Sequence, residues 1–83
     1  MSYYRKKPVI IEAVRYEGVL DGELALFIKE AGYAMRDNIF TIDTLEGAMR
    51  VKKGDYIIKG IKSEFYPCAN EIFELTYEKA SDD

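Results

Sequence analysis

The sequence predicts an α+β fold: a small antiparallel sheet of about four strands arranged as a meander, one amphipathic helix packed on one face, and a short C-terminal helix. Three observations predict it. A β-branched run occupies residues 9–16, a stripe of apolar residues at helical spacing occupies 20–31, and short strand-like segments separated by glycine turns fill 38–66. With 83 residues there is material for a single domain, spanning 1–83 with 79–83 as a frayed tail.

The elements follow in order. Pro8 biases the polar lead-in Tyr3 to Lys7 towards extended backbone. Val9-Ile10-Ile11-Glu12-Ala13-Val14-Arg15-Tyr16 is nearly continuous in apolar character and reads as a central strand, covered on much of both faces. In the next segment Leu20, Leu24, Phe27, Ile28 and Ala31 share one arc of a helical wheel. Asp21 is placed to cap that helix and Gly32 to end it in a left-handed turn, while Leu26 lies off the stripe as a contact for a partner or loop.

Residues 38–45 form a strand closed by Glu46-Gly47, and Ala48 to Lys52 alternates before the Lys53-Gly54-Asp55 turn. Tyr56-Ile57-Ile58-Lys59 follows, and Glu64-Phe65-Tyr66 ends where Pro67 stops ladder pairing. Residues 70–77 suit either a short helix capped by Asn70, with Glu71 and Glu74 at its positive end, or a strand alternating Phe73, Leu75 and Tyr77.

Composition narrows the chemistry. Histidine is absent, which removes the usual proton shuttle at neutral pH, the Ser-His and Cys-His nucleophile pairs and the histidine-containing zinc sets. The single cysteine, Cys68, cannot form an internal disulfide or a zinc site; as a reactive thiol it needs a lowered pKa, which Lys62 or a helix start at Asn70 would supply. Carboxylates on or beside strands (Glu12, Glu17, Glu64, Asp55) leave acid–base work as a minor route. Phosphate-loop and EF-hand patterns are missing. The expectation is therefore a protein that is not an enzyme and carries no cofactor or metal.

Charge and aromatics point to binding. Residues 70–83 carry five acids (Glu71, Glu74, Glu78, Asp82, Asp83) against Lys79, a net −4, which leaves +1 for the rest of a chain whose total is −3. The basic residues fall in short runs, which argues against nucleic acid as a partner. Seven tyrosines accompany no tryptophan. Their rings bury while their hydroxyls stay wet, which suits strands and cores and also contact surfaces; Tyr3, Tyr4, Tyr56, Tyr66 and Tyr77 are candidates for such a face. Glu71, Glu74 and Glu78 form a candidate acidic partner surface. No apolar run is long enough to span a membrane, and the opening residues lack a secretory h-region, so the expected location is the cytoplasm of a host cell.

Leu45 to Gly60, with Gly54-Asp55-Tyr56-Ile57-Ile58, then Tyr66-Pro67-Cys68 and Ile72-Phe73-Glu74-Leu75-Thr76-Tyr77-Glu78, resembles a family of short uncharacterised phage and prophage proteins. Lys7 to Ala13 looks like the start of the same family, and residues 17–38 are the loosest part. Members often have glycine where Ser63 stands and Lys-Pro-Asp where Ala69-Asn70-Glu71 stands, which weakens any fixed anion-binding role for that loop. The resemblance implies a phage context and nothing about reaction type. The leading expectation is a non-enzymatic phage accessory protein that binds a host protein, for example to inhibit host defence. An alternative is a homo-oligomeric binder or sponge for a nucleotide signal, with Tyr56 and Tyr66 stacking a base and Lys59, Lys62 or Arg50 meeting phosphate. A structural or assembly component is the third.

Overall fold

In the computed structural model, residues 1–80 are described; the tail expected at 79–83 lies mostly outside them. The chain runs β1 (Glu12–Arg15), α1 (Gly22–Phe27), β2 (Tyr33–Arg36), β3 (Ile39–Thr44), β4 (Gly47–Val51), β5 (Tyr56–Lys59), β6 (Phe65–Cys68) and α2 (Asn70–Thr76). The α+β class holds, but the single four-stranded sheet does not. Two antiparallel three-stranded sheets form instead, ordered β1-β5-β6 and β2-β3-β4.

The division arises at the turn after β4. The Lys52 amide donates to Asp55 Oδ2 at 2.9 Å, and the Gly54 amide donates to the Tyr16 carbonyl at 2.7 Å. Tyr16 in turn donates its amide to the Asp55 carbonyl at 2.8 Å. These bonds tie the turn to the end of β1, so β5 leaves β4 and pairs with β1, from Glu12 opposite Lys59 to Arg15 opposite Tyr56. The expected meander is therefore broken between its second and third strands.

The strand at residues 9–16 shrinks to an edge strand. Ile10 is 84% exposed, and the preceding residues form an arm without ladder bonds. Its β-branched character serves a different contact, since Val9 and Ile11 line a cleft described below. Strand β6 continues through Pro67, which sits opposite Ile57. Pairing was expected to stop there, yet an edge strand tolerates a residue with no amide to donate.

Asp21 caps α1 as expected, its Oδ1 accepting the Leu24 amide at 2.9 Å. The helix itself is shorter than the apolar stripe. Beyond Phe27 the Lys29 and Ala31 amides bond to the carbonyls three residues back, a tighter winding common at helix ends. Leu20, Leu24, Phe27, Ile28 and Ala31 all reach the core, and Leu26 is exposed. Gly32 is not a left-handed stop: its carbonyl accepts the Asp43 amide at 2.8 Å, and an added Cβ would lie inside the Asp43 carboxylate. That close approach brings the chain into β2, which joins β3 through Asp37 and Asn38, both at positive φ (50° and 63°).

The core lies between the sheets. Phe40, Ile42 and Val51 face it from β3 and β4, and Ile57 and Phe65 from β5 and β6, with Tyr16, Leu24 and Ile28 closing it. Tyr16 and Tyr33 pack their rings on Phe40 at 5.0 and 6.2 Å, and Phe27 meets Phe65 edge-on at 5.6 Å. Ile58 is also fully buried but points the other way from Ile57. A second, outer layer made of α2 and the N-terminal arm lies on that side.

Ser63 occupies the left-handed region at φ 61° in the β5–β6 turn. Replacing Ser63 with glycine relieves the Cβ clash there and is expected to stabilise the domain by about 0.5–1 kcal/mol, read as a higher midpoint in urea unfolding with an unchanged slope.

Candidate functional site

Strand alternation puts Tyr56 and Ile58 of β5 and Tyr66 and Cys68 of β6 on the outer face of the first sheet, because Tyr56 pairs with Cys68 and Ile58 with Tyr66. The helix alternative for residues 70–77 is the one that forms. Asn70 does not cap it: Ala69 occupies that position, no side chain caps the end, and the Phe73 amide donates to the Ala69 carbonyl at 2.9 Å. What holds the helix is aromatic. Phe73 stacks on Tyr56 with ring centroids 3.7 Å apart and planes 10° from parallel, and Tyr77, one turn on, lies 5.0 Å from Phe73. The arm joins this stack through Lys6, whose Nζ donates to the Tyr77 hydroxyl at 3.0 Å and lies 4.7 Å from the Tyr77 ring centre.

Two groups on this face have displaced protonation. Burial, together with a hydrogen bond to Tyr77 that favours the neutral phenol, pushes the Tyr66 pKa up from 10.0 to about 12. Burial, then the Asp55 charge, also pushes the Cys68 thiol up, with Lys6 opposing more weakly. The direction is opposite to the lowering that Lys62 or the helix start was expected to supply. Raised folded-state pKa means that the Tyr66 contribution to stability is complete below pH 10 and disappears as pH rises towards 12. Tyr66→Phe is therefore expected to flatten the fall in stability across that interval, followed by thermal unfolding at a series of pH values.

The structure spreads the candidate binding residues over four places. Tyr56, Tyr66 and Cys68 share the outer face, but one face of the Tyr56 ring is covered by Phe73. Lys59 is on the core side of β5, its Nζ 5.9 Å from the Phe65 ring centre. Arg50 sits on the far sheet opposite Thr41. Lys62 is exposed in the β5–β6 turn, with its amide bound to Glu64 Oε1 at 2.9 Å. Of the acidic set, Glu71 and Glu74 are exposed on α2 and Glu78 is exposed just beyond it. Tyr3 and Tyr4 are fully open to solvent.

Residues given no binding role by their sequence pattern, Lys6 and Ile61 among them, complete the region. Lys6 and Lys7 of the arm, with Val9 and Ile11, form one wall of a cleft of about 300 Å³. Gly60, Ile61 and Glu64 of the β5–β6 turn form the other, and Tyr66 and Tyr77 contribute their phenols. A second cleft of about 310 Å³ separates the β3–β4 hairpin from β6, with Leu45, Met49 and Pro67 among its walls. On the solvent side of α2, Leu75 is 89% and Ile72 56% exposed, beside Glu71 and Glu74. Among the described residues no group of three histidine, cysteine or acidic side chains is placed to hold a metal, and no helix is long and apolar enough to cross a membrane.

A small α+β domain with an aromatic-clamped helix over one sheet is as far as fold and site define the class. Compared with known proteins, the chain matches no family model, no curated protein and no solved structure.

Proposed function

We propose that this protein is a small non-enzymatic binding protein that docks through α2 on a host protein, in the phage context its motifs resemble. The observation that carries the reading is the outward face of α2. Phe73 is committed to Tyr56 and Tyr77, so Ile72 and Leu75 are left on the solvent side of a helix whose other exposed positions are Glu71, Glu74 and Thr76. An almost fully exposed leucine on an anchored helix offers apolar area at little ordering cost, and acids beside it favour a partner with basic residues around an apolar depression.

The test is site-specific photo-crosslinking in host lysate, with p-benzoylphenylalanine in place of Leu75 or, as a control, of Arg36 on the far sheet. The expected result is one discrete adduct from position 75, lost on Glu71→Lys with Glu74→Lys and not formed from position 36. The same smear from both positions, or no adduct from either, contradicts the reading. With the partner in hand, Leu75→Ala is expected to weaken binding about 10- to 30-fold, the cost of withdrawing one buried leucine from a contact.

A further inference from the structure

The cleft between the arm and the β5–β6 turn carries an inference independent of α2 docking. It brings two ammonium groups, Lys6 and Lys7, and one carboxylate, Glu64, around an otherwise apolar volume of about 300 Å³ with Val9, Ile11 and Ile61 in its walls. That volume is at the lower end for small-molecule sites. The charged side chains of its lining sum to +1. We propose that the cleft binds a small organic monoanion, an acid group on a flat or branched apolar body that also carries one hydrogen-bond donor.

The hydrogen bonding fixes where the acid group sits. The Tyr77 oxygen accepts from Lys6 Nζ at 3.0 Å, which leaves two of the three ammonium hydrogens free for a ligand. The Tyr66 and Tyr77 phenols lie beside it, each a hydroxyl able to donate as well as accept. Lys6, Lys7 and the Tyr77 hydroxyl thus form a donor-rich end, where an oxyanion gains charge-assisted bonds. Glu64 accepts the Lys62 amide at 2.9 Å through Oε1 and keeps further acceptor capacity for a ligand N–H or O–H. Its negative charge disfavours a second anionic group, which is why the ligand carries one. Gly60 shapes this end, since a Cβ there would come within 2.5 Å of Glu64 Oε1 and drive the carboxylate aside.

Two probes of one scaffold and opposite charge test the proposal: 4-hydroxyphenylacetate and tyramine, each titrated into ¹⁵N-labelled full-length protein. The acid is expected to bind with Kd of about 0.1–5 mM, shifting the amides of Val9, Ile11, Gly60, Ile61, Tyr66 and Tyr77, and tyramine to leave them in place. Lys6→Gln with Lys7→Gln is expected to weaken the acid about tenfold, and Lys6→Arg with Lys7→Arg to retain most of the affinity. Both lysines are exposed on the arm, so neither pair of changes threatens the core. Equal shifts from both probes, shifts confined to other residues, no shift up to about 20 mM acid, or equal loss in the glutamine and arginine variants would each overturn the proposal.

Discussion

Phe40→Ala is expected to cost about 3–5 kcal/mol, because it removes the largest fully buried side chain and leaves Tyr16 and Tyr33 without the ring they pack on. A chain of 83 residues has a total stability of about 4–12 kcal/mol, so the loss removes from about a quarter to all of it. Phe40→Leu keeps most of the volume and should lose much less, about 1–2 kcal/mol. Urea unfolding followed by far-UV circular dichroism distinguishes them. A loss below about 1 kcal/mol for the alanine variant would mean that the two sheets do not close over this residue.

Phe73→Ala should act on the outer layer alone. Its ring makes two stacking contacts, each worth about 0.5–1.5 kcal/mol beyond the area buried, for a local loss of about 2–3 kcal/mol. A seven-residue helix has too few turns to persist without tertiary support, so α2 is expected to melt. None of the stacked rings belongs to the core cluster between the sheets, and amides of Phe40 and Ile42 should keep their shifts and slow exchange. Docking through Ile72 and Leu75 should fail with the helix. Leu75→Ala makes the complementary prediction: an unchanged fold, within about 0.5 kcal/mol, with docking weakened.

How far the sequence foretold this arrangement depends on the range of the forces involved. Local chemistry was readable: Asp21 as a cap, Leu20 to Ala31 as a core stripe, Gly47 and Gly54 at positive φ in tight turns. Strand β2 was missed because Tyr33-Ala34-Met35-Arg36 is short and weakly patterned, although Asp37-Asn38, two residues tolerant of positive φ, marked a hairpin. The division into two sheets was not readable, since it depends on which strand end the 52–55 turn bonds to, a contact with Tyr16 far away in sequence.

The site divides in the same way. Tyr56, Tyr66 and Cys68 come together because they lie on neighbouring strands of one register. Lys59 and Arg50 were joined to Tyr56 and Tyr66 by charge alone; strand parity turns Lys59 towards Phe65, and Arg50 belongs to the other sheet. Lys6 was visible only as part of a basic run, and its bond to Tyr77 spans 71 positions. Phe73 and Tyr77, one helical turn apart, were the available hint that the terminal element presents an aromatic face inward.

Everything proposed for this protein depends on α2 being clamped to the first sheet by its rings. The most direct measurement is a nuclear Overhauser spectrum of the aromatic protons in the full chain. The account predicts strong cross-peaks between the rings of Tyr56 and Phe73, 3.7 Å apart, and between Phe73 and Tyr77 at 5.0 Å, with Tyr56 resonances moved upfield by stacking. Ring signals at random-coil positions with no Tyr56–Phe73 cross-peak, in a protein whose Tyr16–Phe40 contact is present, would contradict it.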